Sequence, residues 1–68
     1  MNGIESRVFV YRKPFASDIL LYKTLAAAWA ACTQVDGEIQ EWAAIEGADR
    51  LVLVRTWRRT SHGIVLVT

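Results

Sequence analysis

The sequence predicts a small α+β domain with the element order β-α-α-β-β. Residues 7–12 and 50–67 are rich in β-branched and aromatic residues, which are typical of strands. Between them, residues 18–33 are mostly apolar, as in a helix that is buried on more than one side. We therefore expect a three-stranded sheet with a C-terminal β-hairpin, packed against one long apolar helix. The whole chain, 1–68, is predicted to be a single domain.

The first strand is expected over residues 7–12, because it must end before Pro14, which lacks the N–H that a strand ladder needs. The long helix is expected from Asp18 to about Thr33. Ser17 is its candidate N-cap, and a carboxylate at Asp18 would offset the positive end of the helix dipole. The helix carries two neighbouring apolar faces, formed by Leu21, Leu25, Ala28 and Cys32 and by Ile19, Tyr22, Ala26 and Trp29.

Residues 38–46 allow two interpretations. A helix is favoured because Ile39, Trp42 and Ile45 recur at spacings of three with acidic residues between them. The alternative is a strand, which the imperfect alternation of charged, apolar and small residues argues against. Gly37 is expected to end the preceding helix.

The last third of the chain predicts a β-hairpin, with strands at residues 50–58 and 64–67 and turn residues at 60–63. Residues 51–54 and 64–67 are apolar at every position, which is typical of strands covered on both faces. A chain of 68 residues buries only about 60% of its unfolded surface by folding. We therefore expect a partner, most simply a second copy in a two-fold dimer. The candidate self-association residues are Leu21, Leu25, Trp29, Val65 and Val67.

Composition excludes several classes of protein. A hydrophobic content of 53% excludes a disordered tail, and no segment reaches the roughly 20 apolar residues of a membrane span. The N-terminus lacks the features of a secretory signal, so a cytoplasmic location is expected. Cys32 is the single cysteine and is predicted to be a small buried hydrophobe. No metal site and no cofactor are expected, because the glycines are isolated and zinc ligands are too few.

The best candidate binding site is the basic part of the hairpin. It combines arginines with an indole and consists of Arg55, Trp57, Arg58, Arg59 and His62. These groups could contact phosphates and stack on a base, or they could form a protein interface. A purely structural alternative has Trp57 packed on the helices and the arginines paired with Glu38, Glu41 and Glu46. A pI of about 7.9 favours a protein partner over nucleic acid.

His62 supports an alternative function. The order helix, glycine, apolar strand, Ser61-His62, strand in residues 38–67 resembles the core of HicA-type RNA-cleaving toxins. That resemblance implies RNA binding, with His62 as the acid or base and Arg58 and Arg59 as phosphate contacts. Otherwise no catalytic residue is assigned, because His62 has no identified carboxylate to orient it.

The favoured function is a non-enzymatic protein-binding module that acts as a homodimer. In size and character the chain resembles phage-encoded inhibitors of host machinery, including anti-CRISPR proteins. That resemblance implies a small accessory protein that docks on a larger protein and modulates it.

Overall fold

The computed structural model describes residues 4–45, 47 and 49–68. Within these residues the elements are β1 (Ile4–Arg12), β2 (Ile19–Tyr22), α1 (Leu25–Ala31), β3 (Glu38–Ile45), β4 (Leu51–Thr60) and β5 (Gly63–Leu66). The strands form one antiparallel sheet in the order β2-β1-β3-β4-β5. The predicted three-stranded sheet with a long helix is therefore wrong, because the sheet has five strands and the helix has only seven residues.

The predicted helix over residues 18–33 is divided into a strand and a short helix. Ile19–Tyr22 forms β2, which pairs with β1 from Arg12 to Phe9. The helix begins only after Thr24, whose side-chain oxygen accepts a hydrogen bond from the backbone N–H of Ala27 at 3.2 Å. The N-cap is therefore Thr24, and the prediction of Ser17 as N-cap is wrong. Pairing with β1 outweighs the local helical pattern of the apolar residues in β2.

The predicted second helix is also wrong, since residues 38–45 form β3 at the centre of the sheet. Ile39, Glu41 and Ala43 are buried, and the residues between them are only partly so. This is the period of a half-buried strand. A carboxylate at the inward position of Glu41 interrupted the apolar alternation and favoured the helical interpretation. Glu46, where the predicted helix ends, lies outside the described residues.

The C-terminal hairpin is present, as β4 and β5 joined through Ser61 and His62. The hydroxyl of Thr60 accepts a hydrogen bond from the N–H of His62 at 3.1 Å and donates one to the carbonyl of Gly63 at 2.9 Å. A β-bulge in β4 leaves Val54 without a partner in β3, since Glu41 lies opposite Arg55 and Trp42 lies opposite Leu53.

Helix α1 packs over β1, β2 and β3 on one face of the sheet, which we call the helix-side face. The buried cluster beneath it consists of Phe9, Tyr11, Ala28, Cys32, Ile39 and Trp57. Burial of Cys32 confirms its prediction as a small buried hydrophobe, and desolvation raises the pKa of its thiol although Arg59 opposes the shift. No helix within the described residues is long and apolar enough to cross a membrane.

Candidate binding surfaces

The five residues of the predicted basic site do not share one surface. Strand β4 alternates, so Arg55, Trp57 and Arg59 lie on the helix-side face and Arg58 lies on the opposite face. His62 is exposed in the hairpin turn. The hairpin therefore presents its cations in different directions: Arg55 and Arg59 flank Trp57 on one face, and Arg58 and His62 lie elsewhere.

Trp57 belongs to the core. Only 8% of it is exposed, so its ring is not available to stack on a base. Arg59 donates from Nη1 to the carbonyl of Cys32 at 3.1 Å, which ties β4 to the end of α1. Arg58 donates to Oε2 of Glu38 from Nη2 at 2.7 Å and from Nε at 3.3 Å, and this pairing raises the pKa of Arg58. Trp57 and Arg58 thus make contacts of the kind that the structural alternative describes, whereas Arg59 binds a backbone carbonyl and none of the three glutamates.

A second ionic cluster lies around Glu41. This side chain is 2% exposed and faces two half-exposed arginines. Nε of Arg7 lies 3.3 Å from Oε2, but this ion pair lacks the alignment of a hydrogen bond. Nη1 of Arg55 lies 3.8 Å from Oε1, which is too long for a hydrogen bond. Most donors of Arg55 therefore remain available to another acceptor.

The face of the sheet opposite α1 is the most distinctive surface, and we call it the open face. By register and alternation it carries Val8, Val10, Ile19, Leu21, Gln40, Trp42, Leu51, Leu53, Thr56 and Val65. Leu21 is 64% exposed, and roughly half of Ile19, Leu51 and Val65 is exposed as well. A shallow depression of about 380 Å³ lies at its centre beside Val10 and Trp42.

Charged residues on the open face are concentrated at one end of the sheet. Arg12, Glu38 and Arg58 lie side by side on β1, β3 and β4. Towards the other end the cross-strand neighbours are aliphatic or aromatic, apart from Ser6, Gln40 and Thr56. The amide oxygen of Gln40 accepts a hydrogen bond from Nε1 of Trp42 at 3.2 Å. The open face thus has an apolar centre with a charged margin.

The predicted self-association residues lie at several places. Leu21 and Val65 lie on the open face, at its two edge strands. Leu25 is half-buried against the core, and Trp29 is 41% exposed on the outer side of α1. Val67 follows β5 and donates its N–H to the carbonyl of Thr56 at 2.7 Å.

Sequence reasoning missed the central members of the open face, above all Val8, Val10 and Trp42. A signal was present, because residues 8–11 are apolar at every position and so predict cover on both faces of β1. The helix predicted over residues 38–46 gives no indication that Trp42 lies beside Val8 and Val10.

The alternative that rests on His62 lacks part of its pattern, because residues 38–45 are a strand where the resemblance to the toxins requires a helix. Among the described residues no group of three metal-ligating side chains lies close together.

Comparisons with models of protein families, with curated proteins and with solved structures find no significant match to this chain.

Proposed function

We propose that this chain is a protein-binding module that acts as a homodimer, in which the open faces of two copies pack against each other. One observation carries the proposal: α1 packs over β1, β2 and β3 on one face of the sheet, while the other face carries no helix among the described residues, is mostly apolar and exposes several large side chains. Exposed apolar patches of this kind mark interaction sites in soluble proteins. Two such faces packed together would form a β-sandwich.

The open face is large enough for a specific interface. Strands lie about 4.8 Å apart and rise about 3.3 Å per residue, so five strands of unequal length offer about 500 Å². A dimer would then bury about 1,000 Å², which is near the lower limit for a biological interface. The expected affinity is therefore in the micromolar range or weaker.

The charge distribution on the open face fits the same arrangement. Protein interfaces have apolar centres and polar margins that remain hydrated. A two-fold axis that runs across the strands would place the charged row of Arg12, Glu38 and Arg58 at opposite margins of the dimer. The apolar centre around Trp42 would then meet its copy without burying these charges.

Dimerisation leaves the helix side and the sheet edges free. We assign these surfaces to the contact with a second, larger protein, so that the dimer acts as an accessory module on it. The predicted inhibitory or modulatory role belongs to this second contact. The open face would form only the contact between the two copies in the dimer.

Sedimentation equilibrium tests the proposal. The dimer has twice the 7.7 kDa mass of one chain. Leu21→Glu is the test variant and Leu66→Glu the matched control, because these leucines are 64% and 61% exposed and lie on edge strands but on opposite faces. Burying one leucine contributes about 1.5 kcal/mol or more. A two-fold interface contains the residue twice, so Leu21→Glu should weaken the dimer about 100-fold.

The control variant should retain the wild-type association constant. Tryptophan emission provides a second readout in a Trp29→Phe background, because Trp57 is already buried and Trp42 becomes buried on association. A wild-type chain that stays monomeric at roughly millimolar concentration, with no shift in emission, would refute the proposal. Equal weakening by both glutamate variants would place the interface elsewhere.

A further inference from the structure

We propose that the outer edge of β4 at residues 51–55 is a docking site for an extended segment of a partner protein, which adds to the sheet as a further strand. This inference extends the proposed function, because it names the way in which the dimer binds its second protein. It concerns the edge of the sheet and leaves the open face to the second copy.

The backbone of β4 is paired on its outer side along only part of its length. Strand β5 pairs with Trp57 to Thr60, and Thr56 exchanges hydrogen bonds with the last two residues of the chain. Within the described part of the chain, no strand pairs with the outer side of residues 51–55. The N–H and C=O groups on that side are therefore open to a partner.

The register identifies which groups these are. The N–H and C=O of Arg59 both bond towards β3, and those of Thr56 bond towards the chain end, so inward and outward residues alternate. The bulge at Val54 shifts this alternation by one residue. Consequently Leu51 and Leu53 turn their N–H and C=O groups outward, as the ladder for a new strand requires.

The side chains leave this edge unprotected. Natural edge strands usually carry lysine or proline, or are very short. Residues 51–54 have no charge and no proline, and Leu51, Val52 and Leu53 are 49%, 39% and 41% exposed. The outermost strands β2 and β5 have only four residues each, which limits pairing there.

Arg55 specifies the chemistry of the partner. It lies at the end of the open edge, its side chain is 56% exposed, and its Nη1 is 3.8 Å from Oε1 of Glu41. Opposite charges that lie directly across from each other stabilise strand pairs. The partner segment should therefore be extended and largely uncharged, with small or β-branched side chains and an acidic residue opposite Arg55.

The probe for this site is the synthetic peptide acetyl-Asp-Val-Thr-Val-Thr-amide, titrated into the full chain and followed by nuclear magnetic resonance. Antiparallel addition should place its aspartate opposite Arg55. We expect the amide signals of Leu51 and Leu53 to shift and their hydrogen exchange to slow. A peptide with lysine in place of aspartate should bind about tenfold more weakly, and Arg55→Gln should abolish that difference.

Two controls separate strand addition from other contacts. A peptide with N-methylated amides keeps the side chains but loses the backbone donors, so it should not bind. Val52→Lys places a protective lysine on the edge without altering the open face, and it should weaken the peptide at least tenfold. Spectra of the free variant establish that it is folded.

Absence of shifts at roughly millimolar peptide would overturn the inference. So would shifts confined to the open face around Trp42, or edge signals that depend on protein concentration without peptide, which would assign the edge to a second copy. Leu21→Glu separates the two proposals, because Leu21 lies on the open face, so the variant should weaken the dimer and still bind the peptide. If the parent chain never dimerises but binds the peptide, the edge site stands and the proposed dimer fails. If the parent chain dimerises but does not bind the peptide, the dimer stands and the edge site fails.

Discussion

Gly37 offers the sharpest test of how the core is built. It is buried where the chain enters β3, and its φ lies outside the left-handed region. A Cβ atom there would lie 3.0 Å from Cε1 of Tyr11, 3.0 Å from the carbonyl oxygen of Gln34 and 3.2 Å from Sγ of Cys32. Gly37→Ala therefore tests close packing alone, separately from backbone strain.

The expected loss follows from these contacts. Carbon atoms pack best at about 3.5–4.0 Å, so each neighbour would have to move by several tenths of an ångström. Two neighbours are buried core side chains and the third is backbone, which leaves little room for relaxation. Overpacking of this kind costs about 1–3 kcal/mol. Alanine also lowers the conformational entropy of the unfolded chain, which offsets about 0.5 kcal/mol of this loss of stability. The net loss of about 1–2 kcal/mol corresponds to a fall in Tm of roughly 5–15 °C.

Urea and thermal unfolding of the variant measure this loss, and a double-mutant cycle with Cys32→Ala identifies its cause. Removing Sγ relieves one of the close contacts, so the two changes should couple favourably by at least about 0.5 kcal/mol. Gly47→Ala is the control. Gly47 has φ +87° and nothing within 4 Å of the added Cβ, so its loss of stability should come from backbone strain and should not couple to Cys32→Ala. A Gly37→Ala protein as stable as the parent, or one without that coupling, would refute the packing argument.

Two further predictions concern buried titratable groups. The free energy of unfolding of Glu41→Leu should be within about 1 kcal/mol of the parent's or higher, because the two arginine partners of Glu41 are half-exposed and keep their hydration. Glu41→Ala should lower the free energy of unfolding by about 2 kcal/mol, because it leaves a cavity. Urea midpoints measure both, and strong destabilisation by leucine would show that the carboxylate is needed. Burial raises the pKa of Cys32 above its ordinary value of 9.0 and that of Tyr11 above 10.0. Their contribution to stability is therefore complete below about pH 9 and is lost as the pH rises through the raised values, because the unfolded chain releases these protons first. The urea midpoint should fall above pH 9, and Cys32→Ala should make that fall smaller; a midpoint that stays constant to about pH 11 would contradict it.

Much of the strand content could be predicted locally. Residues 7–12 lie within β1, and the turn residues at 60–63 joined two apolar runs into the observed hairpin. In these segments propensity, turn chemistry and apolar pattern agree, so local reasoning was sufficient. The fold class nevertheless came out wrong, because two other segments carry local signals that the tertiary structure overrides.

Those two segments show why. Ile19–Tyr22 continues into an alanine-rich run and has the apolar spacing of a helix, yet its backbone pairs with β1 across a hairpin. Glu38–Ile45 has an acid at an inward position, which is acceptable only because Arg7 and Arg55 come to it from strands distant in sequence. Arg7 lies far from Glu41 along the chain, so a local window around β3 does not show that contact. The β1–β2 hairpin is closer in sequence, but in a local window the apolar spacing of Ile19–Tyr22 fits a helix as well as a strand.

The amino-acid sequence alone determined that this chain has more apolar side chains than one short domain can cover, since that is a matter of composition and length. Only the tertiary structure decided where the surplus lies, because the faces of a sheet are assigned by register between strands and by the side on which the helix packs. That assignment buried Trp57, distributed the arginines of the hairpin over both faces, and left Leu21, Trp42 and Leu53 together on the open face.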